Sequence, residues 1–320
     1  MATSSPLDFV TVDVFTSEPY QGNPLAIVRI PSGRTLTQAQ KQAIAREYNL
    51  SETTFLHENA EHGADRAWTV DIFMTSRELP FAGHPTVGTA CYVLGRVARA
   101  SGADQGVIEA TFNLKAGPVG LRYDVAKRTA KASIPHNVHI HGKRFSNKSL
   151  FEIQPRLAEA HQQGNIKVKD DFAIVSIVKG MTFALIELES IEALGLVSLA
   201  SASLVVDGLD EGWNKTFIGT YFFVRTGKKD KGATTLRTRM IEGPLEDPAT
   251  GSAASDLAAY LSLDGGCAGE TLKYEIVQGV EMGRRSEISI EVHMDAAGSI
   301  SEFHLEGGAV QVMEGRLTTM

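Results

Sequence analysis

A ten-residue pattern of this chain recurs at an offset of 163 positions. Pro85-Thr86-Val87-Gly88-Thr89-Ala90-Cys91-Tyr92-Val93-Leu94 lies without gaps on Pro248-Ala249-Thr250-Gly251-Ser252-Ala253-Ala254-Ser255-Asp256-Leu257. Pro, Gly, Ala and Leu coincide, and Thr89 and Ser252 put a hydroxyl at one matched place. The offset is about half of the 320 residues, the trace a duplicated fold would leave. The residue before each Pro can titrate: His84 in one copy, Asp247 in the other. Each copy reads as the start of a helix, where small residues let a ligand approach backbone N–H groups that have no helical acceptor. Such donors favour a carboxylate or a developing enolate. Two such helix ends facing one another would frame a cleft for a small anion.

Periodicity around the repeat predicts a mixed α and β chain. Phe9–Phe15 alternates as a strand, Gln21-Gly22-Asn23-Pro24 marks a turn, and Leu25–Val28 reads as a second strand. Thr37 is placed to N-cap a helix over Gln38–Tyr48. Leu50–Leu56 and Ala67–Met74 are strand candidates, the first carrying Glu52. Val87, Ala90, Cys91 and Leu94 give a helix over Thr86–Arg99 one apolar face, with Cys91 as a buried structural thiol. Further on, Phe151–Gln162 is helical in pattern, and Phe172–Val178 and Phe183–Leu188 read as strands. The charged run from Gly227 to Gly232 reads as a solvated loop.

Several classes of function are disfavoured. The formal charge is −7, against nucleic acid as a main partner. No apolar run reaches the roughly 18–20 residues of a membrane span. MATSSPLDFV lacks the basic start and apolar stretch of a secretory signal, and the low cysteine count makes a reducing, cytoplasmic location the expectation. Two cysteines, Cys91 and Cys267, are too few for a disulfide framework. There is no P-loop pattern, no Gly-x-Gly-x-x-Gly after a strand and no Gly-x-Ser-x-Gly elbow. No metal site is expected: the nine histidines are scattered, and His139-Ile140-His141 has no partner carboxylate in an obvious pattern. That pair reads as part of a surface strand.

Six segments then carry a resemblance. They are Gln21–Pro24, Asn49–Phe55 (with Ser51-Glu52-Thr53-Thr54), Glu78–Thr86 (with Pro80-Phe81-Ala82-Gly83-His84), Arg237–Met240, Glu246–Ala254 (with Asp247-Pro248-Ala249-Thr250-Gly251-Ser252) and Gln278–Arg284. In this order and spacing the chain resembles the phenazine-biosynthesis PhzF-like isomerase family from about residue 8 to 315. The resemblance implies an α+β, diaminopimelate-epimerase-like fold. Two pseudo-symmetric domains would each wrap a curved β-barrel or roll round a central helix, with the site in the cleft between them. It places an N-terminal domain at 1–127, completed by 308–320, and a C-terminal domain at 128–307. Homodimers are common in the family.

By the same resemblance the family's acid/base glutamate falls on Glu52, its histidine on His84, its aspartate on Asp247 and its serine on Ser252. Asn23, Gly83, Pro85, Thr86, Thr250 and Gly251 fall at substrate-binding positions. The implied activity is a cofactor-independent isomerisation of a small, anionic, carboxylate-bearing metabolite, with double-bond migration or keto–enol change. Glu52 would remove a proton from one carbon and return one elsewhere. An exposed glutamate is a weak base, and burial among Leu50, Phe55 and Leu56 would raise its proton affinity. Taken alone, Glu52 reads as a surface carboxylate on an edge strand. Related epimerases use two cysteines, whereas the junctions here carry His84 and Asp247 with no adjacent thiol. Two other activities stand beside isomerisation: epimerisation at a single carbon, and a non-catalytic binding or scaffold role. Arg239 and Gln278–Arg284 have two readings, shaping the pocket or holding the second domain together. Arg285 stands where family members often carry proline.

Overall fold

A computed structural model of the protein describes residues 5–58, 66–213, 217–229, 232–265 and 268–318. Cys267, and Asp230 and Lys231 of the charged run, lie outside the described residues. Packing divides the chain into two compact units, one of residues 1–134 and 305–320 and one of residues 135–304.

The first unit opens with β1 (Leu7–Val14), β2 (Asn23–Ile30), α1 (Gln38–Tyr48), β3 (Thr53–His57) and β4 (Ala67–Phe73). It continues with β5 (Glu78–Leu79), α2 (Gly83–Ser101), β6 (Val107–Leu114), β7 (Gly117–Asp124) and β8 (Thr129–Ser133). Helix α1 has the bounds its sequence predicts, because its ends are chemically marked. Thr37 Oγ1 accepts from the Gln40 N–H while Gln40 Oε1 accepts from the Thr37 N–H, a reciprocal capping box. Asn49 closes the helix in the left-handed region, at φ 52°. Helix α2 begins three residues earlier than its periodicity predicts. Pro85 is then its third residue, where a missing N–H breaks no helical bond. The predicted apolar face is buried, and so is most of the rest of the helix from His84 to Ala98.

The second unit contains β9 (His139–Ile140), β10 (Phe145–Ser146), α3 (Asn147–Ile153), α4 (Pro155–Gln162), β11 (Asp171–Val178), β12 (Met181–Glu187) and α5 (Ile191–Gly195). It also contains β13 (Phe217–Lys228), β14 (Thr234–Glu242), β15 (Leu245–Asp247), α6 (Gly251–Gly265), β16 (Thr271–Gln278) and β17 (Ser286–Met294). The helix expected over 151–162 is two helices. Pro155 drives Gln154 out of helical geometry, to φ −130° and ψ 70°, and opens α4 as its first residue.

Strand pairing shows the duplication directly. In the first unit β1–β2 is antiparallel, β2–β3 parallel, β3–β4 and β4–β5 antiparallel, β4–β6 parallel and β6–β7 antiparallel. In the second, β11–β12, β12–β13, β13–β14, β14–β15, β14–β16 and β16–β17 repeat that series of directions in the same order. Each long helix, α2 or α6, links the short hairpin strand to the next parallel strand. The last strand, β18 (Ile300–Leu317), pairs antiparallel with β1 from Leu7↔Leu317 to Val14↔Ala309, and also pairs with β8. The first unit's pairings therefore close into a ring, β1–β2–β3–β4–β6–β7–β8–β18, packed round α2. The fit is close at Gly88, where a Cβ would meet Val14 Cγ2 at 2.5 Å and Leu25 Cδ2 at 2.8 Å. That contact gives a packing reason for the glycine of the N-terminal repeat. Among the described residues no helix is long and apolar enough to cross a membrane.

Candidate active site

In the first unit, the residues before β3 and at the start of α2 come together. Glu52 directly precedes β3, which is paired on one side with β2 and on the other with β4. It is therefore not on an edge strand, and its side chain keeps only 14% exposure. His84 is the second residue of α2 and its side chain is 6% exposed. Its Nδ1 lies 3.3 Å from Glu52 Oε2. Burial pushes the Glu52 carboxyl up to about 7, against an opposing hydrogen bond from Ser51. A carboxyl at that value exchanges protons near neutrality, and an imidazole nitrogen lies within reach of it.

The remaining positions in this unit are also buried, apart from the half-buried Gly83. Asn23 opens β2 opposite Val14 and is 2% exposed. Gly83 and Pro85 flank His84 in the first turn of α2. The fully buried Thr86 donates through Oγ1 to the Ala82 carbonyl at 2.8 Å. Cys91, further along α2, donates from Sγ to the Gly307 carbonyl at 3.4 Å, and burial pushes its thiol up to about 12. It has the character of a structural thiol and not of a nucleophile.

In the second unit a hydrogen-bonded turn holds Asp247. Thr250 Oγ1 donates to Asp247 Oδ2 at 2.6 Å and accepts from Gln278 Nε2 at 3.0 Å. Gln278 Nε2 also donates to the Asp247 carbonyl at 2.8 Å. Gln278 Oε1 accepts from the Thr250 N–H at 3.3 Å and from the Tyr221 hydroxyl at 3.0 Å. Gln278 and Tyr221 are both fully buried, so neither amide nor phenol is diluted by water. Gly251 and Ser252 then form the first residues of α6, Gly251 buried and Ser252 half-buried. The Thr250 carbonyl accepts the first helical bond, from Ala254 N–H at 3.0 Å.

Gln278 belongs to the segment whose role the sequence left open, and Tyr221 lies in a stretch where the sequence singled out neither element nor motif. Gly279 lets the Gln278 strand close on this turn. Its φ is +76°, and a Cβ there would sit 2.4 Å from the Arg284 carbonyl oxygen and 2.7 Å from that of Pro248. Gly279→Ala is expected to cost at least about 1–2 kcal/mol from the left-handed backbone alone, and to displace Pro248 beside Asp247. The check is urea denaturation run beside turnover, with kcat falling further than the stability loss explains. The exposed Arg285 pairs with Glu287 at 3.0 Å, and the turn closes without a proline through Arg284 N–H to the Gly279 carbonyl at 2.9 Å.

Arg239 is a structural residue. Its Nε and Nη2 donate to Glu246 Oε1 and Oε2, both at 2.8 Å, and its Nη1 donates to the carbonyls of Leu194 at 3.1 Å and Val197 at 2.6 Å. Each of its three side-chain nitrogens donates within the second unit, joining β14 to β15 and to the end of α5.

A duplicated barrel-and-helix chain of this topology has the diaminopimelate-epimerase-like fold. A hydroxyproline epimerase from Agrobacterium vitis shares it at TM-score 0.57 and 11% identity, over 98% of this chain and 92% of that one. A crystal structure of a PhzF-family phenazine biosynthesis protein from Bacillus anthracis is nearer, at TM-score 0.72 and 19% identity, over 98% and 99%. Residues 12–315 match the family described as phenazine biosynthesis-like protein. The trans-2,3-dihydro-3-hydroxyanthranilate isomerase of Pseudomonas aeruginosa is 30% identical over 96% of this chain and 98% of its own length. The chain belongs to the phenazine biosynthesis-like family, and it is an enzyme of the isomerase type.

Proposed function

We propose that this enzyme moves a proton between two carbons of a small carboxylate-bearing metabolite, with Glu52 as the single acid/base group and no bound cofactor. The observation that carries this reading is the raised proton affinity of a carboxyl lying 3.3 Å from His84. As carboxylate, Glu52 takes a proton from carbon; as carboxylic acid, it returns one to another carbon of the same bound molecule. Atoms and charge balance without an external reactant. His84 holds the carboxyl in place and shares its proton between the two transfers. Asp247, oriented by Thr250 and Gln278, would bind an amine or hydroxyl. Ser252 and the first-turn N–H groups of α6 would receive a carboxylate.

The first compound to test is trans-2,3-dihydro-3-hydroxyanthranilate, the substrate in the name of the Pseudomonas aeruginosa relative. Turnover in deuterated water is expected to place deuterium at the carbon that gains the proton, with the double bond displaced. Inversion at one carbon without bond migration would make the enzyme an epimerase. Ligand-induced stabilisation with no exchange into this or any related acid would make it a binding protein. The pH profile is a second test. Glu52 must be ionised to begin, so kcat/KM is expected to rise with pH through about 7 and to fall tenfold per unit well below it. A profile flat between pH 5 and 8 would remove Glu52 as the base.

A further inference from the structure

Apart from the isomerase residues, the second unit holds a set of metal-type donors. His139 opens β9 and His141 follows two residues on, with ring centroids 4.8 Å apart. The third member, Asp210, comes from the stretch between α5 and β13, which has no helix or strand over residues 196–213. Asp210 Oδ2 lies 2.8 Å from His139 Nε2. The Asp210 backbone N–H points at His141 Nδ1, at 3.4 Å. One donor atom from each of the three residues lies within 4.8 Å of the other two.

The surroundings orient these donors as those of a metal site would. His141 is 2% exposed, and its Nε2 lies 3.0 Å from Ser176 Oγ, itself fully buried and 2.6 Å from Thr182 Oγ1. A proton on Nε2, donated to Ser176, leaves the Nδ1 lone pair as the acceptor of the Asp210 N–H, a contact that a metal ion would replace. A hydrogen bond to the far ring nitrogen is how ligating histidines are held in one tautomer. The Asp210 carboxylate is oriented independently of His139 by the Gly142 N–H, at 3.2 and 3.3 Å from its two oxygens. Trp213 stacks on the His139 ring at 4.6 Å and 11° and so fixes its plane. Lys179 Nζ lies 5.4 Å from the Trp213 ring centroid, a cation placed on the indole and not on the carboxylate.

The geometry points to a two-histidine, one-carboxylate site for a late first-row divalent cation such as Zn²⁺, formed by His139, His141 and Asp210. Two imidazoles and a carboxylate suit such ions, whereas Mg²⁺ and Ca²⁺ prefer oxygen throughout. Tetrahedral Zn²⁺ would set its ligand atoms about 3.3–3.5 Å apart, so the 2.8 Å contact opens by about 0.5–0.7 Å and the longest spacing, up to 4.8 Å, closes by up to about 1.3–1.5 Å. Water takes the fourth position. The ion clips the 196–213 stretch to β9, so it serves the stability of the second unit and not the proton transfer.

The test uses tag-free, full-length protein stripped with EDTA and desalted, then titrated with ZnCl₂ by calorimetry. The expected result is binding with Kd of about 10 µM or tighter, a Tm that rises with zinc, and Co²⁺ quenching of tryptophan emission that Trp213→Phe abolishes. His139→Ala and Asp210→Asn are each expected to weaken zinc binding at least about tenfold. Asp210→Asn keeps an acceptor for Gly142 and so remains informative if His139→Ala misfolds. The Glu291–His293–His304 group also brings three donors together, so His293→Ala is the control and is expected to leave this binding unchanged. Binding weaker than about 100 µM, a loss under about tenfold in folded His139→Ala or Asp210→Asn, or a loss confined to His293→Ala, overturns the assignment.

Discussion

Replacing Glu52 by Gln is expected to lower kcat/KM by about 10²–10⁴-fold, the range general acid–base groups supply, and at the same time to stabilise the protein above neutral pH. The amide keeps the shape and cannot exchange a proton. The stability sign follows from linkage. Folding raises this carboxyl from its ordinary 4.5 to about 7, so the folded state binds the proton more tightly. Its stabilising share is complete below about pH 4.5 and is lost as pH rises to about 7. The full difference corresponds to ~3 kcal/mol. Gln carries no such penalty. In urea denaturation, Glu52→Gln should exceed the parent by about that amount at pH 8 and nearly match it at pH 4. Equal stability of the two at pH 8, or near-normal turnover, would mean that Glu52 is neither a strained carboxyl nor the base.

Arg239→Met is expected to destabilise the protein by about 3–5 kcal/mol, because Glu246 would be left as a buried, unpaired carboxylate. Both side chains are under 10% exposed. The double variant Arg239→Met, Glu246→Leu should recover most of that loss, since removing both charges also removes their desolvation cost. Denaturation midpoints of the two single variants and the double variant form the cycle that measures it. Turnover reports something further. Glu246 immediately precedes Asp247 in β15, so the single variant should lose activity through Asp247 even in the folded fraction. If both single variants lose less than about 1 kcal/mol, the pair is not the clasp described here.

Legibility of the fold in the sequence followed how local the deciding interaction is. Helix α1 was legible to the residue because Thr37 and Gln40 settle its start within one turn. The early start of α2 was less so, since a proline in the first turn looks like a boundary until the chain is seen to place it third. The division into α3 and α4 was written in Pro155, a local rule that the apolar periodicity over 151–162 obscured.

The candidate site shows the same gradient. Glu52, His84, Asp247 and Ser252 stand out because each lies in a long segment shared with a known family. Glu52 on an edge strand was the reading from periodicity alone, and the pairing of β3 on both sides overturned it. Gln278 reaches Thr250 across 28 positions, and Asp210 reaches His139 across 71. No window of sequence contains both members of either pair.

What the sequence by itself determined is the duplication, the helix caps and breaks, and the residue types at two matched helix starts. The caps and breaks depend on backbone geometry within a few turns, and the duplication on residue types repeated at one fixed offset. The tertiary structure alone decided that one carboxyl is dry enough to hold a proton near neutrality, that Arg239 is a clasp, and that two histidines acquire a carboxylate partner. Burial and pairing depend on which distant segments close over a side chain. That closure is a property of each packed unit, carried by no single stretch of it.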